Sequence, residues 1–317
     1  MEVDYRPCCV IHSATKFARH EHQKNCTPIL DSISPRLFLS TFILSDDDAM
    51  LTHFLNHYGR LGVWLNHTTV FIRARRSVTE ATMALTQMAA ITAGVPRNNV
   101  RVVYAPPSDE LKINLMNEHI RSLPLTSWNI YADVDELFDY PCEFRNRFDS
   151  NAVCLDGTMW DQVAVVNNIT ELKPYPHLST QYPRQCRIRA RFLPHVKLTK
   201  TILHRVSDDN SSYVYFRTTH QLANWTHSTS KCPVRGLVRH FTMTSRQAAN
   251  IAQKANFQWN ASNLSKPSHN YAGGVCGNID THTNRCNDYT LLRTFQNNYI
   301  FNAPLMASIC PYSLGAG

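Results

Sequence analysis

The sequence contains no long hydrophobic run. Its longest strongly apolar stretch, Leu37 to Leu44, is interrupted by Ser40 and Thr41, whereas a membrane-spanning helix needs about 20 consecutive apolar residues. Only 10 of the 317 residues are glycine, and neither these nor the 16 prolines recur with a period. We therefore expect no transmembrane helix, no collagen-like or low-complexity segment and no repeat array.

The ten cysteines include no C-x-x-C pair, which is the usual spacing of structural zinc sites and redox motifs. Ten in a chain of this length are also too few for a disulfide mini-scaffold. Cys276 and Cys286 lie in a loop rich in Gly, Asn and Thr, and this predicts a local disulfide. A zinc site that adds His282 is the alternative, but it lacks a fourth ligand at the usual spacing.

The composition is that of a folded protein with a basic surface. Hydrophobic residues make up 43% of the chain and charged residues 18%, so an intrinsically disordered chain is excluded. The formal net charge is +8 and the pI is about 9.0. This charge is compatible with an ordinary basic surface or with an anionic ligand. No basic helix or RNA-type aromatic motif is present, so no nucleic-acid partner is expected.

Two observations on the cellular compartment point in opposite directions. Seven N-x-S/T sequons are present, more than composition alone predicts, and they favour a glycoprotein of the secretory pathway, for example in the Golgi lumen. Residues 1–30 contain no apolar segment of signal-peptide length, so no signal peptide is expected. A cytoplasmic location is therefore the alternative.

The first half of the chain alternates between strand and helix patterns. Strands are predicted at residues 37–44, 69–72, 100–104 and 128–132, and helices at residues 50–61, 79–93 and 108–122. This alternation predicts an α/β fold with a parallel sheet, in which ligands bind at the carboxyl ends of the strands. The second half predicts mixed strands at residues 152–155, 187–191, 213–216 and 237–241, and a helix at residues 247–257.

The fourth predicted strand ends directly in Asp133-Val134-Asp135-Glu136. Carboxylate oxygens at this spacing suit Mg²⁺ or Mn²⁺, which can in turn bridge a diphosphate. Three buried carboxylates without a cation would be costly. We therefore favour a metal site over the alternative, a capped loop.

Three stretches of the chain resemble glycosyltransferases of the GT-A fold, in the group-2-like and family-92-like enzymes. They are residues 46–63 (DDDAMLTHFLNHYGRLGV), Trp128 to Phe138 (WNIYADVDELF) and Leu237 to Phe241 (LVRHF). The resemblance implies a Rossmann-like nucleotide-diphospho-sugar transferase fold over residues 36–260, with a mostly parallel sheet. Residues 1–35 would form a head segment, and residues 261–317 a cysteine-containing extension packed on the domain.

The resemblance also implies roles for individual donor-binding residues. Asp133 and Asp135 would hold the metal and the donor diphosphate, and Asp46 and Asp47 would lie near the donor base. Asn117 would face the nucleotide, with Lys112 as the less favoured candidate. The sequence departs from the family after the second strand, where residues 73–77 read RARRS instead of an Asp near a Ser.

The resemblance also implies that His240 is the third metal ligand, with His220 as its rival and a core histidine bonded to backbone as the alternative. If His240 is a ligand, a ring nitrogen should lie within about 5 Å of an oxygen of Asp133 or Asp135. Asp161 is the predicted base for the acceptor hydroxyl. Asp156 is its nearest competitor, and a helix N-cap at Asp161 is the structural alternative.

The resemblance implies a hexosyltransferase-like enzyme that moves a sugar from a UDP- or GDP-sugar to a hydroxyl of a glycan or glycoconjugate. It implies dependence on Mn²⁺ or Mg²⁺ and inversion at the anomeric carbon. Two alternatives stay open: a phosphohydrolase of the haloacid-dehalogenase type and a non-catalytic carbohydrate-binding protein. The phosphohydrolase pattern requires Thr or Val at the position of Leu137.

Overall fold

The structure is a computed structural model of the whole chain, in which fourteen stretches are placed well enough to describe. They are residues 30–45, 47–74, 78–104, 109–140, 154–163, 172–182, 184–186, 199–206, 215–218, 221–223, 235–241, 279–280, 285–286 and 312–313. The described helices are α1 (Asp48–Arg60), α2 (Glu80–Thr92), α3 (Asp109–Ser122) and the short α4 (Leu178–Gln181).

The described strands run from residue 37 to residue 313. In chain order they are β1 (Leu37–Leu44), β2 (Thr68–Arg73), β3 (Val100–Val103), β4 (Trp128–Tyr131), β5 (Glu136–Asp139), β6 (Cys154–Val163), β7 (Arg184–Cys186), β8 (Thr199–Arg205), β9 (Tyr215–Thr218), β10 (Gln221–Ala223), β11 (Arg235–His240), β12 (Ile279–Asp280), β13 (Arg285–Cys286) and β14 (Tyr312–Ser313).

Ten of the described strands form one mixed sheet. Its main order is β14-β7-β6-β8-β4-β1-β2-β3, and β11 joins it by pairing with both β5 and β6. The β3-β2-β1-β4 half is parallel, as the strand–helix alternation predicts. Beyond β4 the sheet is antiparallel except for the β6–β11 pair. The expected parallel first half and mixed second half are thus both present, although the described sheet as a whole is mixed rather than mostly parallel, and the α/β class is confirmed.

The two faces of the sheet carry separate cores. Buried residues of α1 and α2, such as Phe54 and Ala90, pack with Val70, Ile72 and Ile130 from one face. On the other face, Met116 and Ile120 of α3 pack with Tyr131 and Phe216. Strands β1, β2 and β4 thus lie between the two cores, which explains the largely apolar runs of β1 and β2.

The ends of the first two helices follow from local sequence. Thr79 caps α2 by accepting a hydrogen bond from the Thr82 backbone N–H at 3.2 Å. Gly62 follows α1 with φ of +100°, and Gly94 follows α2 with φ of +111°. Both conformations lie in the region that favours glycine, so these residues end the helices.

The sheet differs from the sequence prediction most clearly at β6. Only the last two residues of the predicted short strand at residues 152–155 are described, and they begin a ten-residue strand that runs from Cys154 through Met159, Trp160 and Asp161 to Val163. Asp161 therefore lies inside a strand, and the helix N-cap alternative is wrong. The strand is long because it pairs with three others, β7, β8 and β11, and pairing with distant segments leaves no local signal.

Several sequence predictions fall outside the described residues. These are the strand at residues 187–191, the helix at residues 247–257, the head segment before residue 30 and the domain boundary near residue 260. Cys286 lies in β13, which forms a small antiparallel pair with β12. Its predicted partner Cys276 is outside the described residues, so this disulfide stays a prediction.

Candidate functional site

The candidate site is built on the turn between β4 and β5. Beyond Tyr131 the chain keeps its contact with β1, because the Ala132 N–H donates to the Ser40 carbonyl at 3.2 Å. It then turns, and the Glu136 N–H donates to the Asp133 carbonyl at 2.8 Å. Because β4 is parallel to β1, the turn lies at the carboxyl end of the parallel strands, where such sheets bind ligands.

Asp133 is held by two lysines and a tyrosine. Its Oδ1 forms an ion pair with Nζ of Lys112 and accepts a hydrogen bond from the Tyr131 hydroxyl at 2.8 Å. Its Oδ2 lies 3.6 Å from Nζ of Lys200, which also pairs with Oε2 of Glu136. The same Glu136 oxygen accepts a hydrogen bond from the Asp133 backbone N–H at 3.1 Å. The two lysines occupy the position next to Asp133 that the sequence assigns to a metal ion.

The charges in this network keep one another ionised. Burial opposes ionisation of Asp133, but the ammonium groups of Lys112 and Lys200 outweigh it and hold the pKa of Asp133 well below its usual value. Burial also lowers the pKa of Lys200, whose side chain is fully buried, but Glu136 and Asp133 reverse this effect and raise its pKa. Burial and the Asp133 carboxylate raise the pKa of Tyr131, so this hydroxyl stays a hydrogen-bond donor.

Asp135 faces a different set of groups. Its Oδ2 lies 3.6 Å from Nε2 of His240, within the distance expected for two ligands of one ion. The other ring nitrogen of His240, Nδ1, lies 2.9 Å from Oδ1 of Asp161. The register explains this convergence, because His240 of β11 stands opposite Glu136 of β5 and Asp161 of β6. Asp135, His240 and Asp161 thus form a chain of three groups beside the lysine-bound Asp133.

Carboxylates outnumber lysines among the described residues of the site. Asp133 and Glu136 contact the ammonium group of Lys200, and Asp133 also contacts that of Lys112. Asp135 and Asp161 instead contact the ring of His240. Side-chain exposure is 13% at Asp135 and 2% at Asp161, so a cation could reach these two carboxylates from the side of Asp135.

Asn117 has a structural contact instead of the predicted nucleotide-facing position. Its Nδ2 donates to the Phe216 carbonyl at 3.0 Å, and its Oδ1 accepts from the Phe216 N–H at 2.8 Å. Both ends of the amide are therefore used to hold β9 against α3. Asp47 is buried at the start of α1, beyond the carboxyl end of β1, whereas Asp46 and His220 lie outside the described residues.

Asp161 and Trp160 are both buried within β6. Asp161 is 1% exposed and contacts His240, so its carboxylate supports the histidine instead of facing open solvent. Trp160 is 8% exposed, which leaves little of its ring for stacking on a sugar. Asp156, the competitor for the base role, accepts a hydrogen bond from the Thr201 hydroxyl at 3.1 Å. The identity of the base stays a prediction.

Sequence analysis missed Lys200, the most buried charged group of the site. A signal was present, because Lys200 shares its side of β8 with Ile202 and His204 in the strand's period of two, and both of these are buried. A lysine on the buried face of a strand needs a carboxylate partner. In this chain the acidic turn after β4 supplies it.

The residues present fit a divalent cation at Asp135 and His240, but not at Asp133. Two protein ligands at about 2.0–2.2 Å from one ion can stand 3.6 Å apart, as Asp135 and His240 do. Within the described part of the chain, no group of three His, Cys, Asp or Glu side chains could hold a metal ion. Mg²⁺-type sites commonly use one or two protein side chains and take their other ligands from phosphates and water.

Comparison with known proteins gives no family for this chain. Neither a protein-family model nor a curated protein sequence matches it. Among solved structures, S. aureus TarS 1-349 is 11% identical, with 86% of this chain and 77% of that chain covered at a TM-score of 0.29. The complex of TarS 1-349 with UDP-GlcNAc gives 12% identity, the same coverage and a TM-score of 0.31. Sequence identities and TM-scores this low support no inference about family or chemistry.

None of the helices in the described ranges is long and apolar enough to span a membrane.

Proposed function

We propose that the chain is a glycosyltransferase of the GT-A type that uses a nucleotide-sugar donor and a divalent cation. The observation that carries the proposal is the meeting of Asp135 and His240 at the carboxyl end of the parallel strands, 3.6 Å apart. This edge of an α/β sheet is where phosphate-containing ligands bind. The acidic turn after the fourth strand and the late histidine are also the elements of the resemblance noted in the sequence.

In this proposal Asp135 and His240 hold the cation. The cation, Mn²⁺ or Mg²⁺, would supply positive charge to the diphosphate of the leaving nucleotide. Asp161 fixes the orientation of His240, because its carboxylate binds Nδ1 and so leaves Nε2 directed at Asp135. Such a carboxylate–histidine pair is a common support for a metal-bound imidazole. Asp161 is then a positioning residue, which differs from the base role that the sequence suggests.

Lys112 and Lys200 have separate tasks in the proposed enzyme. Lys200 is fully buried and neutralises Glu136 and Asp133. It thereby stabilises the closely spaced carboxylates of the turn in the folded state. Lys112 is 21% exposed and pairs with Asp133, which is 20% exposed. This pair lies at the accessible edge of the site, where an ammonium group can contact a phosphate oxygen of the donor.

The donor is proposed to be a UDP- or GDP-sugar and the acceptor a hydroxyl of a glycan or glycoconjugate, with inversion at the anomeric carbon. The domain limits at residues 36–260 and the lumenal location belong to the same proposal and rest on the sequence patterns alone.

The test is a panel of nucleotide-sugar donors incubated with the full chain, Mn²⁺ and a set of glycan acceptors, with release of nucleoside diphosphate as the readout. We expect one donor class to be turned over, a strong chelator to abolish turnover, and Asp135→Asn to lower it at least about a hundredfold. Asp109→Asn removes an exposed carboxylate at the start of α3 and is the matched control with unchanged turnover.

The same panel separates the alternatives. A phosphohydrolase of the haloacid-dehalogenase type would cleave an aryl phosphate and use Asp133 as nucleophile. In this structure both Asp133 oxygens lie close to ammonium groups, one of Lys112 and one of Lys200. Cleavage of the aryl phosphate without any donor turnover would reject the transferase. Glycan binding with no turnover of any donor would favour the non-catalytic module instead.

A further inference from the structure

A polar cavity lies at the opposite end of the parallel strands from Asp133. It has a volume of about 160 Å³ and lies between the start of β1, β2 and β3 and the C-terminal end of α3. Phe38, Thr69 and Arg101 line it from the strands, and His119 and Ser122 line it from α3. None of the proposed catalytic groups contributes to it, so its function is independent of the transferase proposal.

His119 is the unusual member of this lining. It is only 5% exposed, and among the described residues neither of its ring nitrogens has a hydrogen-bond partner. The ring packs edge-on against Phe71, with 6.1 Å between the ring centroids. A buried imidazole with both nitrogens unsatisfied loses the hydrogen bonds that it makes with water in the unfolded chain. A ligand in the cavity would restore them.

The charge of the lining indicates which ligand fits. The guanidinium carbon of Arg101 lies 5.7 Å from the centroid of the same Phe71 ring, so Arg101 and His119 meet around one aromatic side chain. The described lining contains no acidic residue. Ser122 and Asn99 are already fixed, because Ser122 donates to the His119 carbonyl at 2.6 Å and Asn99 donates to the Asn66 carbonyl at 3.2 Å. The third basic side chain of the lining, His67, has its Nδ1 3.2 Å from the Leu37 carbonyl. Arg101 and His119 are therefore the basic side chains of the lining that have no hydrogen bond within the described residues.

We propose that this cavity binds a phosphate group through Arg101 and His119. A phosphate offers oxygen acceptors to the guanidinium fork and to an imidazole N–H at the same time. Its negative charge also favours protonation of His119, which turns the second ring nitrogen into a donor. Burial and the nearby Arg101 lower the pKa of His119 to about 4 in the free protein. Binding should therefore become tighter as the pH falls from the higher pKa of the bound state toward about 4.

The experiment follows the ring nitrogens of His119 by NMR while inorganic phosphate is added to the full chain at constant ionic strength. We expect saturable shifts of these signals and a raised His119 pKa. Arg101→Gln should weaken phosphate binding at least about tenfold. Arg97→Gln should leave it unchanged, because Arg97 is also exposed and lies in the turn before β3 but does not line the cavity.

Parallel titrations identify the source of the phosphate group. Methyl phosphate that binds as well as inorganic phosphate indicates a phosphorylated molecule, whereas binding of inorganic phosphate alone indicates the free ion. Either result supports the proposal. Shifts that never saturate, tighter binding of acetate than of phosphate, or equal weakening by Arg97→Gln and Arg101→Gln would overturn it. His119→Phe, which keeps a ring and removes both nitrogens, should remove the part of the pH dependence that lies between the bound-state pKa of His119 and about 4.

Discussion

Replacing Lys200 by methionine is expected to be among the most destabilising single changes in this chain. The lysine is fully buried, pairs with Glu136 and lies 3.6 Å from Asp133. Methionine fills similar space but leaves Glu136, whose side chain is 2% exposed, without its ammonium partner. Removal of one partner of a buried ion pair costs about 3–5 kcal/mol, because the remaining charge keeps its desolvation penalty.

The pH dependence of the destabilisation distinguishes loss of the ion pair from simple loss of packing. The folded-state pKa of Lys200 is raised, so its contribution is present below the unfolded pKa of about 10.4 and is lost as the pH rises through the folded value. The folded-state pKa of Asp133 is lowered, so its contribution is present above about 3.9 and is lost as the pH falls through the folded value. At pH 7 both contributions are complete, and the cost of Lys200→Met should be largest there. It should shrink toward pH 4, because protonation of a buried carboxyl group relieves the cost of losing its ammonium partner.

The assay is urea unfolding at pH 7 and at pH 4.5, with Lys173→Met as control. Lys173 is exposed, so its replacement should change the free energy of unfolding by less than about 0.5 kcal/mol. The double variant Lys200→Met/Glu136→Gln should be more stable than the sum of the two single changes predicts, because neither buried charge is then left alone. A cost below about 1 kcal/mol for Lys200→Met, or the same cost at both pH values, would refute the reasoning.

Three further predictions concern the scaffold and use urea unfolding as the measurement. Gly236→Ala should lower the free energy of unfolding by about 1–3 kcal/mol, because the new Cβ would lie 2.5 Å from Cδ1 of Ile202 and 2.8 Å from the Asp139 carbonyl oxygen. An unchanged free energy of unfolding would contradict this packing. Asp139→Asn should cost about 3–5 kcal/mol, because Arg239 is buried and its Nε and Nη2 lie 2.7 and 2.8 Å from the two carboxylate oxygens. Burial lowers the pKa of His204 to about 3. Between pH 6.5 and pH 3 the unfolded chain therefore binds a proton at this residue that the folded chain does not. The free energy of unfolding should fall across this range by up to about 1.4 kcal/mol per pH unit as the pH drops. His204→Phe should remove that part of the slope.

The parallel half of the fold could be predicted from the sequence because its signals are local. Strands β1, β2 and β4 are buried on both faces and read as continuous apolar segments, and helices of regular period separate them. Thr79 and Gly62 mark helix ends by their own conformational preferences. The acidic turn after β4 follows from the same reasoning, because the end of a parallel strand is where polar side chains are expected.

The partners of the acidic turn could be predicted only in part. The resemblance indicates His240, but the register that sets it beside Asp161 depends on the pairing of β11 with β6. Lys112 and Lys200 reach Asp133 from α3 and β8, elements that no sequence pattern ties to the turn. Side-chain pairs between distant segments depend on the register of strand pairing. A shift of the register by one residue would place the side chains of the opposite face of the strand at the site.

Mn²⁺ binding measured by electron paramagnetic resonance, with UDP or GDP present, is the sharpest test of a cation site at Asp135 and His240. We expect one Mn²⁺ site in the unaltered chain, and we expect it to require the nucleotide. Asp135→Asn and His240→Gln should each weaken this site at least about tenfold, while the exposed control Asp109→Asn keeps it. Mn²⁺ binding that is unchanged in both Asp135→Asn and His240→Gln would contradict the assignment of a nucleotide-sugar transferase site to the turn after β4.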